Sequence, residues 1–462
     1  MMQNVQLFLD DVRLFRRENL ERRNTPMEQV GEYIDEKMNV VFPSGYIFTQ
    51  PDGTFRLFYS GTIPGGDHQL HYFTAVSNDG IHFQPDNEAA ERVNLQNPIA
   101  PHQFMPDLPP SSEVHSMVED PNARPDARYK MLSCIFDREQ LTLANKVSIS
   151  PDLIHWTDLT TVRWHSRGTE PVGSTLYDPE DRRFLILTRP EWGDRRIALV
   201  QTRDWETFTP PRLVMAPDSQ DGQMAEHYGM YAFRCGQTKL GLLMVYQPTD
   251  HSTYCYKFDG GTIRCELIYS EDGEFWRRTQ RVPFVGEENI MFWPSSSQVR
   301  DGYFYLYGTA AQVEHGDFCP VDHCSSLKIY RTPEHRFQSL AVKTGASYGE
   351  LALRQNVLHS GTIHWNLKAV NATSAIYEVT REETKVLRSH EDCIPFTGDT
   401  IDWAPQWKGH DSEEDLQDRL LVFELRMDSG EVWSITGDFT RLGTTEAFRY
   451  EKFRMLPTRS GF

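Results

Sequence analysis

One seven-residue pattern, here called the turn motif, occurs five times and constrains the fold more than any other feature. Each copy has a hydroxyl residue, an acid two positions later, and an aromatic ring three or four residues after the acid. The hydroxyl and the acid can accept hydrogen bonds from free backbone N–H groups of a turn, and the ring can anchor the next strand. The copies recur roughly every 50–75 residues, which indicates repeated supersecondary units. They begin at Ser77, Ser150, Thr202, Ser270 and Thr332.

Short β-like runs precede each turn motif in the same order. In the first unit they cover 40–49, 54–60 and 70–76, and they are rich in β-branched and aromatic residues. Three strands, the turn motif and a fourth strand make the plan of a propeller blade, so the sequence predicts a five-bladed β-propeller. A helical spacing of apolar residues, as an alternative to strands, occurs only near 28–37.

The repeat stops after about residue 345, although strand-like runs continue towards residue 462. Strands without the turn motif indicate a separate β-sandwich. The predicted class is therefore all-β, with a propeller over 1–345 and a β-sandwich over 346–462.

Charge and composition exclude several classes of partner. The formal net charge of −19 opposes binding to nucleic acid or to an anionic membrane surface, because both require basic faces. No apolar run of about eighteen residues is present, and no leader pattern occurs near Met1, so a cytoplasmic location is expected. Seven scattered cysteines favour reduced thiols. No cofactor is implied, and the sequence leaves the oligomeric state open.

The ordered strands and their flanking motifs resemble the five-bladed-propeller glycoside hydrolases of the invertase, inulinase and arabinanase type. The resemblance is carried by Leu-Phe-Leu-Asp-Asp at 7–11, Asp-Gly-Thr-Phe-Arg-Leu-Phe-Tyr at 52–59, Asp-Pro-Asn at 120–122 and Tyr-Asp-Pro at 177–179. Near the C-terminus, 366–371 and 407–409 resemble the β-sandwich of the invertase-like branch. The resemblance implies a carbohydrate substrate, and cleavage of a furanoside or related small glycoside.

Three motifs of that family have no counterpart here. The first blade lacks Trp-x-Asn-Asp-Pro, and Arg-Asp-Pro and Glu-Cys are absent from their expected places. Cys265-Glu266 reverses the last of these and falls in a late strand. The nucleophile of the retaining branch therefore cannot be transferred to this chain.

In such a propeller the first strand of each blade lines the central channel, and its starting end faces the substrate pocket. Acids occur at all five predicted starts. Glycosidic cleavage needs a proton donor and a second carboxylate across the sugar. The resemblance places the donor on blade three, which nominates Glu170 as general acid, with Asp35 as base or nucleophile, Glu113 orienting the pair, and Glu226 competing for the acid role. The alternatives are Glu36 on blade one and Glu287 or Glu288 on blade five.

Six further residues are candidates for substrate binding. Arginine can clamp a hydroxyl or a carboxylate, histidine can bind hydroxyls or tune a carboxyl group, and tryptophan can stack on a sugar ring. A structural ion pair, an ordinary buried histidine or a core aromatic is the alternative in each case. The candidates are His115, Arg189, Trp192, His227, Trp293 and His315.

The segment 314–324 is dense in groups that can bind metals. It contains two cysteines and two histidines. Their spacing fits no common zinc pattern, so no metal is predicted, and a loop at the pocket rim is the simpler interpretation.

Two other functions remain open at this level. One is a non-catalytic propeller that binds sugar or protein. The other is a glycoside phosphorylase, which needs a cationic pocket that Arg189, Arg195 and Arg196 could supply.

Overall fold

The chain forms two compact units in a computed structural model, which describes residues 4–35, 39–62, 70–86, 112–137, 142–162, 169–190, 192, 194–222, 224–249, 260–315, 325–410 and 412–456. The propeller unit comprises Met27–Phe233 and Leu240–Arg331. The ten-stranded unit comprises Met1–Pro26, Arg234–Lys239 and Thr332–Phe462. The sequence analysis placed a single domain boundary at residue 345. In the structure the first 26 residues group with the C-terminal part of the chain.

Three short strands of the ten-stranded unit open the chain: β1 (Asn4–Leu7), β2 (Leu14–Glu18) and β3 (Leu20–Asn24). β4 (Glu28–Tyr33) follows and enters the propeller unit.

The propeller unit consists of five four-stranded antiparallel sheets, as predicted. Sheets four and five are joined into one hydrogen-bonded path by a single parallel pairing of Ile263 with Met291. The strands of the first two sheets are β5 (Asn39–Thr49), β6 (Phe55–Thr62), β7 (Leu70–Ser77) and β8 (Gln84–Pro85), then β9 (Ser112–Glu119), β10 (Tyr129–Asp137), β11 (Thr142–Ser150) and β12 (Thr157–Val162). The third sheet has β13 (Thr169–Asp178), β14 (Arg183–Pro190), β15 (Ile197–Thr202) and β16 (Arg212–Met215). The last two have β17 (Glu226–Cys235), β18 (Thr238–Gln247), β19 (Thr262–Ser270) and β20 (Arg277–Val285), then β21 (Met291–Arg300), β22 (Tyr303–Ala311) and β23 (Ser325–Pro333).

The fifth sheet takes its outermost strand from the start of the chain. β4 pairs antiparallel with β23, with Tyr33 opposite Leu327. The helical period considered for 28–37 is therefore wrong over Glu28–Tyr33, which is a strand. Its partner lies almost 300 residues away in sequence, so no local pattern could identify this closing strand.

Side-chain and backbone hydrogen bonds join the inner strands β5, β9, β13, β17 and β21 in a ring. Because these strands hold equivalent places in consecutive sheets, their starting ends gather at one end of the ring, here called the mouth. The joining pairs are Tyr46 with His115, Ser116 with Thr175, Ser174 with Met230, Tyr231 with Ser297, and Ser296 with Ile47.

The turn motif forms the connection that its residues predicted. In the first copy Ser77 Oγ accepts from the backbone N–H of Gly80 at 2.9 Å, and Asp79 Oδ1 accepts from those of Ile81 and His82 at 2.8 Å. The copies at Ser150, Thr202 and Ser270 repeat this pattern. Each of the four connects the third strand of a sheet to the fourth.

The fourth position of the motif has a positive φ in all five copies: Gly80, Leu153, Trp205, Gly273 and His335. A left-handed backbone at non-glycine residues is costly, so its recurrence marks one shared turn geometry. The fifth copy keeps this geometry but leads into a strand of the ten-stranded unit, because β4 already supplies the fourth strand of its sheet.

The ten-stranded unit is one hydrogen-bonded network around an apolar core that includes Phe8, Trp365 and Phe423. Its longest strand spans 24 residues and pairs with four of the other strands. The β-sandwich stays a prediction, since the strands among the described residues of this unit form one hydrogen-bonded network. With β1–β3, the strands are β24 (Gln338–Val342), β25 (Gly349–Leu353), β26 (Asn356–Val379), β27 (Thr384–Arg388), β28 (Phe396–Trp403), β29 (Leu420–Met427) and β30 (Ser429–Arg441).

One α-helix, α1 (Thr444–Phe453), lies near the end of the described residues, and the sequence analysis did not predict it. Two 3₁₀ turns occur at Pro125–Ala127 and Glu414–Leu416. None of the helices in the described ranges is long and apolar enough to cross a membrane. The described cysteines, Cys134, Cys235, Cys265 and Cys393, are free thiols.

Candidate active site

Register shifts interrupt the inner strands near their starting ends. They fall after Val41 on β5, at His115 on β9, after Glu170 on β13 and at Ser295 on β21. A bulge bends the strand and re-aims the neighbouring side chains, and such bulges are over-represented next to active sites. Four of the five inner strands therefore shift register in their first half, although outer strand pairs of the unit shift as well.

Gly173 allows the irregular stretch of β13 to pack closely. A Cβ atom added there would lie 1.9 Å from the carbonyl oxygen of Leu187 and 2.6 Å from Cε1 of His115. Any side chain at this position would displace the backbone that follows Glu170.

The sequence-predicted acids occupy the expected backbone positions. Glu113 and Glu170 are the second residues of β9 and β13, and Glu226 is the first residue of β17. Glu170 pairs with Arg189 in the β13–β14 register. The side chains of Glu113 and Glu170 lie outside the described part of the structure, so the convergence of the acids stays a prediction.

Asp35 lies between β4 and β5 and is buried, with 6% of its surface exposed. The hydroxyl of Tyr59 donates to Asp35 Oδ2 at 2.5 Å, and the hydroxyls of Tyr33 and Tyr59 are 3.1 Å apart. Burial and the neighbouring carboxylate raise the pKa of the Tyr59 phenol. The phenol therefore stays protonated, and its O–H can donate to Asp35. Burial likewise raises the pKa of Tyr33 to about 12.

Glu226 is buried beside Arg195. The Arg195 guanidinium donates to Glu226 Oε2, and the Arg195 backbone N–H donates to Oε1 at 3.3 Å. Both side chains are at most 7% exposed. Because Arg195 engages both oxygens of the carboxylate, Glu226 forms a buried ion pair rather than an open acid.

Tyr228 is the centre of an aromatic and cationic cluster. The guanidinium carbons of Arg189 and Arg195 lie 4.2 Å and 5.1 Å from its ring centre, and Arg189 also donates to the Tyr228 carbonyl at 2.8 Å. Trp293 and Tyr246 pack edge-on against the same ring. Two buried guanidinium groups thus stack on one phenol ring at the mouth, and Glu226 balances the charge of Arg195.

The three candidate histidines are neutral at neutral pH. Burial and the charge of Arg189 lower the pKa of His115 to about 3, and burial lowers that of His315 to about 3. Burial lowers the pKa of His227 to about 4, although Asp221 Oδ2 lies 3.8 Å from its Nε2. Burial is the main cause, and repulsion from the charge of Arg278 adds to it, so the net effect lowers the pKa of His227 despite this carboxylate.

Each histidine has different partners. His115 Nε2 hydrogen-bonds to Thr188 Oγ1 at 2.8 Å, and His315 Nε2 to the Tyr228 hydroxyl at 2.9 Å. Neither ring nitrogen of His227 has a hydrogen-bond partner among the described residues. The structure thus brings His115 to blade three and His315 to the Tyr228 cluster.

The two candidate tryptophans differ in exposure. Trp293 is 1% exposed and packs against Tyr228, so its indole belongs to the wall of the cluster rather than to an open platform. Trp192 is partly exposed in the loop after β14, where its backbone N–H donates to the Pro190 carbonyl at 2.8 Å. On blade five, Glu287 and Glu288 are exposed.

Of the 314–324 segment, only Glu314 and His315 are described. Glu314 accepts from the backbone N–H of Gly261 at 2.7 Å and from Thr249 Oγ1 at 3.0 Å. The cysteines and the second histidine of this segment lie outside the described residues. Elsewhere in the described chain, no group of three or more His, Cys, Asp or Glu side chains is arranged to hold a metal ion.

Sequence reasoning did not assign a role to Tyr59, Tyr228 or Tyr246. Tyr59 lies in the 52–59 stretch that carried the family resemblance, but the roles of all three depend on residues that only the fold brings near. An aromatic residue opposite a buried acid or guanidinium gives no local signal, because neighbours from different blades meet only in the folded ring.

Comparisons with known proteins give similarity of structure only. No family model matches the chain, and no curated protein matches it. A β-fructofuranosidase from Schwanniomyces occidentalis, solved with fructosyl-erythritol, is 10% identical with a TM-score of 0.42, covering 90% of this chain and 97% of its own. A β-1,2-mannobiose phosphorylase from Listeria innocua is 11% identical with a TM-score of 0.42, covering 69% and 99%. A β-xylosidase/α-arabinofuranosidase from a compost metagenome is 11% identical with a TM-score of 0.40, covering 67% and 94%. The propeller assignment rests on the strand pairing itself.

Proposed function

We propose that the chain is a glycoside hydrolase that cleaves a furanoside or a related small glycoside at the mouth of the propeller unit. The observation that carries the proposal is Asp35, a buried carboxylate just before the inner strand of blade one, whose Oδ2 accepts a hydrogen bond from Tyr59. A carboxylate so held has its direction fixed by the protein, as a base or nucleophile requires.

In the proposed reaction, Glu170 on β13 donates a proton to the leaving glycosidic oxygen. Asp35 then either removes a proton from the attacking water or attacks the anomeric carbon itself, and the separation of the two carboxyl groups decides which. Glu113 on β9 orients the pair. Glu226 is a weaker candidate for the acid, because Arg195 engages both its oxygens.

The neutral histidines support recognition of sugar hydroxyls. The Nε2 atoms of His115 and His315 bond to protein hydroxyl groups, so a sugar hydroxyl would have to bind each neutral ring through Nδ1. His115 and His315 sit at the mouth with burial holding each neutral, and Trp192 is the exposed aromatic candidate for stacking on a sugar ring.

The decisive experiment is turnover of a panel of aryl and alkyl furanosides and pyranosides. Release of free sugar without added phosphate, lost in Asp35→Asn and in Glu170→Gln, would support the hydrolase. Saturable sugar binding without turnover by the unaltered chain would instead support a non-catalytic binding propeller.

A second candidate, a glycoside phosphorylase, is favoured by the pair of buried guanidinium groups on Tyr228. Arg189 and Arg195 could bind phosphate as the attacking group. Inorganic phosphate in the same panel separates the two: a sugar 1-phosphate product that requires phosphate would indicate phosphorolysis, and Arg189→Met should then raise the KM for phosphate most.

A further inference from the structure

The ten-stranded unit contains a cleft of about 840 Å³, well away in sequence from the propeller mouth. Its walls come from β26 near Thr362, the end of β27 at Arg388, and the segments 404–410 and 412–417. The volume falls within the range of small-molecule sites.

The walls of the cleft are fixed by buried contacts. Arg388, only 2% exposed, donates to both carboxylate oxygens of Asp415 at 2.6 Å and 3.1 Å and to the Ser412 carbonyl at 3.0 Å. The indole N–H of Trp407 donates to the Ser374 carbonyl at 2.9 Å. The cleft is therefore preformed, which lowers the entropic cost of binding a ligand.

Two polar atoms of the wall are buried without a hydrogen-bond partner among the described residues. One is a donor, Nε of Arg388, and the other is an acceptor, Oε2 of Glu413. The second oxygen of Glu413 accepts from the hydroxyl of Thr362 at 2.6 Å. A buried polar group left unsatisfied costs stability, so such groups are normally paired with protein, water or ligand.

We propose that this cleft binds a neutral, hydroxyl-rich ligand, a monosaccharide or short oligosaccharide. A hydroxyl group both donates and accepts, so a polyol matches a wall that holds, among the described residues, both an unpaired donor, Arg388 Nε, and an unpaired acceptor, Glu413 Oε2. The rim carries both signs of charge through Lys408 and Glu414, which favours a neutral ligand over an ion. Ile394 and Pro405 add apolar surface against which the C–H faces of a sugar ring can pack.

Burial raises the pKa of Glu413, which is consistent with a carboxyl group that is sparingly solvated within the wall. The site does not depend on the proposed catalysis at the mouth, because all the described residues that line it belong to the ten-stranded unit.

The test is calorimetric titration of the full chain with D-fructose, L-arabinose, D-xylose, D-mannose and sucrose. Concentrations reach about 20 mM, which is above the millimolar dissociation constants of weak sites. The variants are Glu413→Gln and the near-isosteric Thr362→Val, with Glu391→Gln as the matched control, an exposed carboxylate of the same unit outside the cleft. Thermal unfolding of each variant verifies that it is folded.

At least one sugar should bind saturably. Glu413→Gln should weaken that binding at least about tenfold, because the ligand hydroxyl that faces residue 413 loses a charged acceptor. Glu391→Gln should leave the affinity unchanged. Binding that persists in both cleft variants would assign the sugar to the propeller mouth and overturn the proposal. Absence of saturable binding, with a crystal structure showing only bridging water in the cleft, would also overturn it.

Discussion

The carboxylates of the turn motifs and those of the mouth share their chemistry but not their environment. Asp79 is exposed and both its oxygens are engaged, Oδ1 by two backbone N–H groups and Oδ2 by His82 Nδ1 at 2.7 Å. Asp35 is buried and receives a hydrogen bond from Tyr59 on Oδ2. The first arrangement completes a turn with groups from the same seven residues, whereas the second gathers groups from two sheets.

Under the proposed function, this difference separates residues that hold the fold from residues that take part in the reaction. A carboxylate whose oxygens are hydrogen-bonded within its own turn has no capacity left for a substrate, so its substitution lowers the stability of the fold. A buried carboxylate oriented by a neighbour can act on a bound molecule, so its substitution lowers the reaction rate. Substitutions in the two regions should therefore differ in whether they lower stability or rate.

Asp35→Asn should cause the largest loss, a fall in kcat of roughly 10²–10⁴-fold, because the amide can neither accept a proton nor attack. Initial rates on the substrate found in the panel provide the measurement. The control is Glu206→Gln, an exposed acid within the third turn motif, which should retain full activity. Equal activity in both variants would place the chemistry elsewhere.

Glu170→Gln should lower turnover of alkyl glycosides by a similar roughly 10²–10⁴-fold while preserving binding. The swap keeps the shape but removes the proton that the leaving oxygen needs. Aryl glycosides with good leaving groups should lose much less, and comparing kcat for the two leaving groups measures this. An equal loss on both would remove Glu170 from the acid role, and Glu226 would be tested next.

Glu226→Gln should destabilise the propeller unit by about 3–5 kcal/mol, since it leaves the buried Arg195 guanidinium without its counter-charge. Chemical denaturation followed by fluorescence gives the free energy of unfolding. Glu119→Gln is the matched control, because its partner Arg128 is partly exposed and the pair is worth about 0–1 kcal/mol. Similar effects would mean that the buried pair is not structurally important.

Tyr59→Phe should reduce kcat by roughly 10–100-fold with little change in Tm, because it removes the hydrogen bond that orients Asp35 and retains the ring. Tyr303→Phe on β22 removes a phenol hydroxyl away from Asp35 and should leave kcat unchanged. A loss of stability without a loss of rate would make Tyr59 a packing residue only.

The smallest effect concerns acid stability. Backbone hydrogen bonds from Thr207 and Glu206 lower the pKa of Asp204 to about 2, against about 3.9 in an unfolded chain. Its contribution to stability is therefore present above about pH 4 and is lost as the pH falls towards 2. The gap in unfolding free energy between the unaltered chain and Asp204→Asn should close over that window, and a gap that persists at pH 2 would contradict the assigned shift.

The sequence by itself predicted the blade plan because the information for each blade is local. The hydroxyl, the acid and the left-handed position of a turn motif lie within seven residues, and the motif sits between the third and fourth strands where the pattern placed it. Strand alternation and turn residues act over the same short range. The starting positions of β9, β13 and β17 followed from this plan, and with them the backbone places of Glu113, Glu170 and Glu226.

Only the tertiary structure decided how the ring closes and what surrounds each candidate residue. β4 completes the fifth sheet by pairing across almost 300 residues, which explains why the last turn motif connects outward instead. The pairing of Glu226 with Arg195, the stacking of Arg189 on Tyr228 and the bond from Tyr59 to Asp35 all join residues distant in sequence. The burial of a side chain and its contact partners set its charge state and what it can touch. Both are properties of the packed fold, so no single segment of the sequence reveals them.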